Sequence, residues 1–316
     1  MSDTKTSRLI SVQTLYWYHK NFGGDQNANE ALSFIRSCGF DAIDYHFEGL
    51  YSYSEIISGK KNPVYDLPLH ELIEYYTPLK NAMKANGIAI SQAHGISPFY
   101  VPGNDDVNEY LYSVMEKIFE VCRFLECPYI VQHPPRDLTP TEIIEISKPL
   151  IPSAIRTGVK ICLENMFVEG ENGKLLPYFD ADDACYIIDT LNDIAGSQVF
   201  GFCYDIGHAN ITERNLYDDV CTYADRLFCL HIHENDGHSD RHLIPYTQNR
   251  SEANSRPTDW EGFINGLIKI GYKGPINCEV HPALNIVPSE LLENTLKFIA
   301  GVCGYFRDRI DSAIQN

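Results

Sequence analysis

Eight times along this chain a short, almost wholly apolar run is followed by a longer amphipathic one, and that alternation leaves few folds open. The runs are "LISVQTLYW", "AIDYHFE", "IAISQAHG", "YIVQHPP", "VKICLENM", "VFGFCYDIGHAN", "LFCLHIHEND" and "PINCEVHP". Being near-continuously apolar, they read as strands buried on both faces, as in a parallel sheet covered by helices. Segments with helical spacing of apolar residues separate them, among them "NEALSFIRSCG", "LHELIEYYTPLKNAMKANG" and the stretch 141–157; the first two end at a glycine stop. Eight such units close into an α/β TIM (β/α)8 barrel, and a chain of 316 residues suits one barrel as a single domain, 1–316. The competing architecture is an open doubly wound sheet with insertions. No GxGxxG or P-loop pattern marks a strand–helix turn, which counts against it. The longest irregular segment, 237–257, reads as a lid or as part of an active site.

Charge narrows the class of partner. With 43 acidic and 25 basic residues the net charge is −18. Surfaces that grip nucleic acid or anionic membranes neutralise phosphates with Lys and Arg, so this balance argues against both. No signal peptide opens the chain and no run of about 18 apolar residues occurs. Cys122, Cys162, Cys203, Cys229 and Cys278 sit inside apolar segments and no CxxC pair is present. They read as reduced, buried thiols of a cytoplasmic protein, and a thiolate zinc site is not expected.

In TIM barrels the chemistry collects at the C-terminal ends of the strands. Here the third apolar run ends in His94 and the fourth in His133. The fifth ends in Glu164, the sixth in Asp205 with His208 behind it, the seventh in His233 followed by Asp240 and His242, and the eighth in Glu279. A lone histidine at such a place is usually structural, and a lone Asp or Glu can simply cap the next helix. Six consecutive strand ends bearing imidazole or carboxylate are a different matter. A ring of carboxylates without cations resists ionisation. Mixed His, Asp and Glu around a divalent ion relieve that repulsion, and oxygen and nitrogen donors without thiolate suit Mn, Mg, Co or Zn. His231 and His233 share one strand face; His233 is nearer the rim and is taken as the ligand, with His231 a deeper residue or a donor to a ligand. Asp44 and His46 end the second run and could line the pocket. His238 and His281 read as loop residues, and His19 and His70 as solvated ones.

The stretches "QAHG", "VQHP", "CLEN", "YDIGHAN", "HIHENDG", "DRHLIP" and "NCEV" make nearly the whole chain resemble the xylose isomerase-like TIM barrel superfamily, which holds sugar isomerases and epimerases, inosose dehydratases and apurinic endonucleases. The epimerase branch implies one divalent ion on Glu164, Asp205, His233 and Glu279. It further implies that Glu164 and Glu279 act as acid and base on opposite faces of a sugar, and that His208 contacts the substrate. The endonuclease branch implies up to three zinc ions, with His94, His133, His208, Asp240 and His242 as additional ligands. Two departures weigh on the choice. Tyr246 stands where a glycine is usual, and basic residues near the rim are few: Arg136, Arg241, Arg250 and Arg256. A protein gripping a kinked duplex would show more.

The expected function is therefore a metal-dependent isomerase or epimerase of a sugar, sugar phosphate or polyol, an inosose-type dehydratase included. The alternatives are a multi-zinc phosphodiesterase of apurinic-site type and a non-catalytic sugar- or metal-binding protein. A small carbohydrate or polyol is the expected partner, and assembly into a homo-oligomer stays open. Tyr16, Trp17, Tyr45 and Phe47 offer ring faces for a sugar, about half of them being expected in the core.

Overall fold

In the computed structural model, which describes residues 8–249, 251 and 255–314, eight parallel strands form a barrel. The strands are Ile10–Gln13, Ala42–His46, Ala89–His94, Tyr129–Gln132, Lys160–Glu164, Phe200–Asp205, Leu227–His231 and Ile276–Cys278. The first seven pair in sequence order, and the first also pairs with the eighth through Ile10 and Ile276. Between the seventh and eighth the barrel is closed by a parallel bridge of Ile232 with Cys278, in which Ile232 N donates to Asn277 O at 2.9 Å. The barrel expected from the alternation of runs is what the chain adopts.

Helices cover the outside because their sequences carry both caps and an apolar face. The helix Asp105–Leu125 opens at Asn104, whose side chain accepts from Val107 N, and it holds Asp105 and Asp106 in its first turn, where the helix dipole favours anions. Leu111, Val114, Met115 and Ile118 are fully buried along it. Each such side chain is worth about 1.5–3 kcal/mol of burial.

Three elements differ from the sequence reading. The first strand stops at Gln13, and Trp17 starts a short helix, Trp17–Phe22, with its indole Nε1 donating to Gln13 O at 2.6 Å. The helix expected over 141–157 is broken into Pro140–Ser147, a tight turn Lys148–Leu150 and Ile151–Thr157, since Pro149 and Pro152 lack the N–H a continuous helix needs. After the fifth strand an unforeseen antiparallel hairpin, Phe167–Glu169 with Leu175–Pro177, stands on the rim.

Two irregularities of the barrel fall beside acidic residues. Register shifts occur between Ile43 and Asp44 and between Phe202 and Cys203, two residues before Asp205. Such bulges re-aim side chains, and here they adjoin two carboxylates that point inward.

Candidate metal and acid-base site

The carboxylates at the strand ends converge on an imidazole. His231 Nδ1 lies 3.2 Å from Glu164 Oε2, 3.2 Å from Glu279 Oε2 and 4.0 Å from Asp205 Oδ2. His233 Nε2 sits 3.0 and 3.1 Å from the two oxygens of Asp205. All five side chains are buried. Asp205 does what a helix cap does and more: Oδ1 accepts from His208 N at 2.6 Å, opening the helix Ile206–Ile211, while the carboxylate still faces His233. His233 fits only because residue 207 is glycine. A Cβ there would stand 1.8 Å from His233 Cε1.

The other strand-end groups enclose this centre. His133 Nε2 is 3.2 Å from Glu164 Oε2, and His208 Nδ1 is 3.4 Å from Glu164 Oε1. His94 Nδ1 meets Asp44 Oδ1 at 3.2 Å and its Nε2 faces Glu279 Oε1 at 3.6 Å. The rings of His46, His94 and His231 stack in sequence, 3.8 and 4.6 Å between centroids. From the long segment after the seventh strand, Asp240 Oδ2 reaches His208 Nε2 at 3.4 Å and His242 Nε2 at 3.1 Å, and His242 stacks on His233 at 4.0 Å. The structure thus gathers all nine sequence-derived site residues in one place. Arg250 lies outside the described residues.

Some assignments change. His231, read as a deeper residue or a donor to a ligand, touches both glutamates. His281, read as a loop residue, begins the short helix His281–Ile286 and bonds through Nδ1 to Gln13 Oε1 at 2.9 Å. Trp17, Tyr45 and Phe47 belong to the core, while Tyr16 is 61% exposed. Sequence reasoning missed Gln13, whose amide donates to Glu279 Oε1. With the first strand drawn through Trp17, its polar end fell on the wrong residue. It missed Gln92 and Asn277 too, which with His94 bond the fully buried Asp44 at 3.2, 2.9 and 3.2 Å. Tyr246 sits in the left-handed backbone region, with φ 68°, and stacks on Phe306.

Electrostatics sets the two glutamates apart. Burial raises the Glu279 carboxyl above its usual range, even with His231 and His242 nearby. Burial would raise Glu164 as well, but the charges of His231 and His133 hold it well below the usual range. Burial works against protonation of His133 and His242, yet facing carboxylates lift both to about 9. Protons on imidazoles here balance negative charge that a cation would otherwise balance.

The donor set fits a divalent ion. Glu164 Oε2, Glu279 Oε2, His233 Nδ1, His94 Nε2 and both His231 nitrogens are buried without a hydrogen bond among the described residues. Several of these atoms face one another at 3.2 Å without hydrogen-bond geometry, and a cation among them would complete them. His208, His233, Asp240 and His242 each place a donor atom within 4.8 Å of the others, as do His94, His133 and Glu164.

The family model described as "Xylose isomerase-like TIM barrel" matches residues 32–300. The chain belongs to that family. Solved structures alike in fold include D-psicose 3-epimerase with D-tagatose from Clostridium cellulolyticum H10, at TM-score 0.67 and 16% identity, covering 95% of this chain and 99% of that one. IolI protein with a bound zinc atom gives TM-score 0.65 and 17% identity over 96% of this chain and 98% of that one. The 3-keto-D-glucoside 4-epimerase YcjR from E. coli gives 0.61 and 16% over 92% and 98%. A Sinorhizobium fredii protein, y4fM, is 31% identical over 83 residues, which span 26% of this chain and 24% of its own length.

Proposed function

We propose that the chain is a divalent-metal-dependent isomerase or epimerase of a sugar or polyol, working by proton transfer at the carbon next to a carbonyl. The observation that carries this reading is the aim of Glu164 and Glu279. They come from non-adjacent strands, yet each places an oxygen 3.2 Å from the same nitrogen. Structural relatives whose names describe sugar epimerases support it.

Glu164, Asp205, His233 and Glu279 would hold the ion, which supplies Lewis acidity toward a substrate carbonyl. One of the two glutamates takes the proton from the adjacent carbon. The other, protonated beforehand, delivers its own proton to the opposite face of that carbon for epimerisation; for isomerisation the first returns its proton at the neighbouring carbon while the hydroxyl proton passes to the carbonyl oxygen. His208 and His133, each facing Glu164, orient that carboxylate and offer N–H groups to substrate hydroxyls. Buried walls keep water from the carbanionic carbon.

The test is a metal analysis joined to a screen of ketoses, ketose phosphates and inososes for exchange of a carbon-bound proton in deuterated water. Exchange that requires the ion and both glutamates is the expected result. A second reading, a multi-zinc phosphodiesterase, is favoured by the His208–His233–Asp240–His242 group. His208→Asn separates the two: it leaves a single-ion site filled and weakens substrate, but strips an ion from a multi-zinc site.

A further inference from the structure

The proposed chemistry leaves His231 without a task. It is not one of the four metal ligands, yet it is fully buried, and its Nδ1 faces Glu164 Oε2 and Glu279 Oε2 at 3.2 Å each. Neither of its nitrogens has a hydrogen bond among the described residues. Its Nε2 faces Asp44 Oδ2 at 3.5 Å. Metal-binding imidazoles turn their second N–H toward a carboxylate in this way, which leaves the other nitrogen for the ion.

Below His231 lies sulfur. Cys162, Cys203 and Cys229 each stand two residues before a site residue, in "CLE", "CYD" and "CLH". Alternation along a strand puts each on the same face as Glu164, Asp205 and His231 respectively. All three are fully buried and form, with Val131 and Phe228, a small cluster apart from the main core. Cys162 Sγ and Cys229 Sγ contact each other at 3.5 Å. Cys203 has different company: its sulfur, a carboxylate oxygen of Glu164 and a nitrogen of His231 lie within 4.8 Å of one another. Ligands at about 2.0–2.3 Å from a tetrahedral ion stand roughly 3.3–3.8 Å apart, so small side-chain adjustments bring these three onto one ion. A thiol that only fills space needs no polar neighbour, whereas Cys203 adjoins two groups whose buried atoms lack partners. No CxxC spacing announces the set, because the fifth, sixth and seventh strands each supply one member.

We propose that Glu164, Cys203 and His231 form a second metal position, deeper in the barrel than the first, which takes a thiophilic divalent ion such as zinc or cadmium in preference to magnesium or manganese. Thiolate sulfur selects the softer ions, while magnesium and manganese favour oxygen. Binding replaces the Cys203 thiol proton, which leaves to solvent. Glu164 is common to both positions, so an ion held here withholds that carboxylate from proton transfer; this consequence rests on the function given above.

The test starts from the metal-free full chain. Cobalt(II) titration reads sulfur ligation as a thiolate-to-metal charge-transfer band in the near ultraviolet. X-ray absorption of the zinc-saturated protein reads it as a sulfur shell at about 2.3 Å. Both signals are expected in wild type and in Cys185→Ser, which alters a thiol on the outer helix Ala181–Ala195. Neither is expected in Cys203→Ala, whose folding a denaturant melt checks. A zinc shell of oxygen and nitrogen alone in wild type overturns the site, whether or not Cys203→Ala folds. A cobalt band that survives in Cys203→Ala also overturns it. With manganese-loaded protein, cadmium should slow deuterium exchange by about 100-fold, the lower end of what a general base contributes, and far less in Cys203→Ala. Equal inhibition of the two proteins overturns the sharing of Glu164. Absence of exchange on every sugar defeats the proposed function but not this site, which the cobalt and zinc spectra decide by themselves.

Discussion

Replacing Gly207 by alanine perturbs the site through a single methyl group. The new Cβ would lie 1.8 Å from His233 Cε1, 2.4 Å from Nε2 and 2.5 Å from Nδ1. Carbon atoms in good contact stand about 3.5–4.0 Å apart, so the ring must retreat by well over an ångström or the helix Ile206–Ile211 must lift. The ring has little freedom, being fully buried, stacked on His242 at 4.0 Å and held against Asp205 at 3.0 Å. Lifting the helix instead breaks the bond from His208 N to Asp205 Oδ1. Overpacking of this kind costs about 1–3 kcal/mol, which a domain of this size should survive. Ligand positions tolerate only about 0.2 Å, so metal binding should suffer far more than folding. Disturbing even the supports of metal ligands costs about 10–100-fold in affinity; moving a ligand should reach or exceed the upper figure. The assay is a metal titration by calorimetry beside a denaturant melt of the metal-free protein. Gly301→Ala is the control, because a Cβ there meets nothing within 4 Å on the helix Ser289–Ile314; it should raise stability by about 0.5–1 kcal/mol. Wild-type metal affinity in Gly207→Ala would refute the placement of His233 as a ligand.

Other outcomes follow from the same geometry. Glu164→Gln and Glu279→Gln should each lower proton exchange by about 10²–10⁴-fold through loss of the base alone, measured as deuterium uptake, with weakened metal binding adding to the loss. Asp44→Ala should destabilise the fold by about 3 kcal/mol or more in a denaturant melt, since it strands buried donors of Gln92, Asn277 and His94. With His133 and His242 raised to about 9 by facing carboxylates, both carry protons at pH 7 that an incoming cation repels. Metal binding should then release protons and weaken as pH falls, visible as buffer-dependent heats of binding.

The barrel was legible because each strand is apolar throughout and each helix has its own period. The site was legible because the barrel gathers strand ends that lie far apart in sequence: Glu164 and Glu279 meet around one imidazole. What stayed hidden depends on contacts between residues that no local pattern announces. Gln13 reads as an ordinary strand residue until its amide is seen on Glu279. The closeness of His231 to both glutamates reflects how far the side chains reach into the lumen, which alternation along a strand does not specify. The break over 148–150 could have been read from Pro149 and Pro152, and the hairpin after Met166 from Gly170 and the Asn172-Gly173 pair between two short apolar runs.

The central claim is that Glu164 and Glu279 move a proton on a carbon next to a carbonyl, with a divalent ion held between them. Deuterium incorporation into substrate, measured with the bound metal counted on the same sample, tests this most directly. The account predicts exchange at one carbon-bound hydrogen that vanishes on metal removal, returns on reconstitution and is lost in Glu164→Gln. Three zinc ions per chain, no exchange on any sugar, and cleavage of abasic duplex DNA would contradict it.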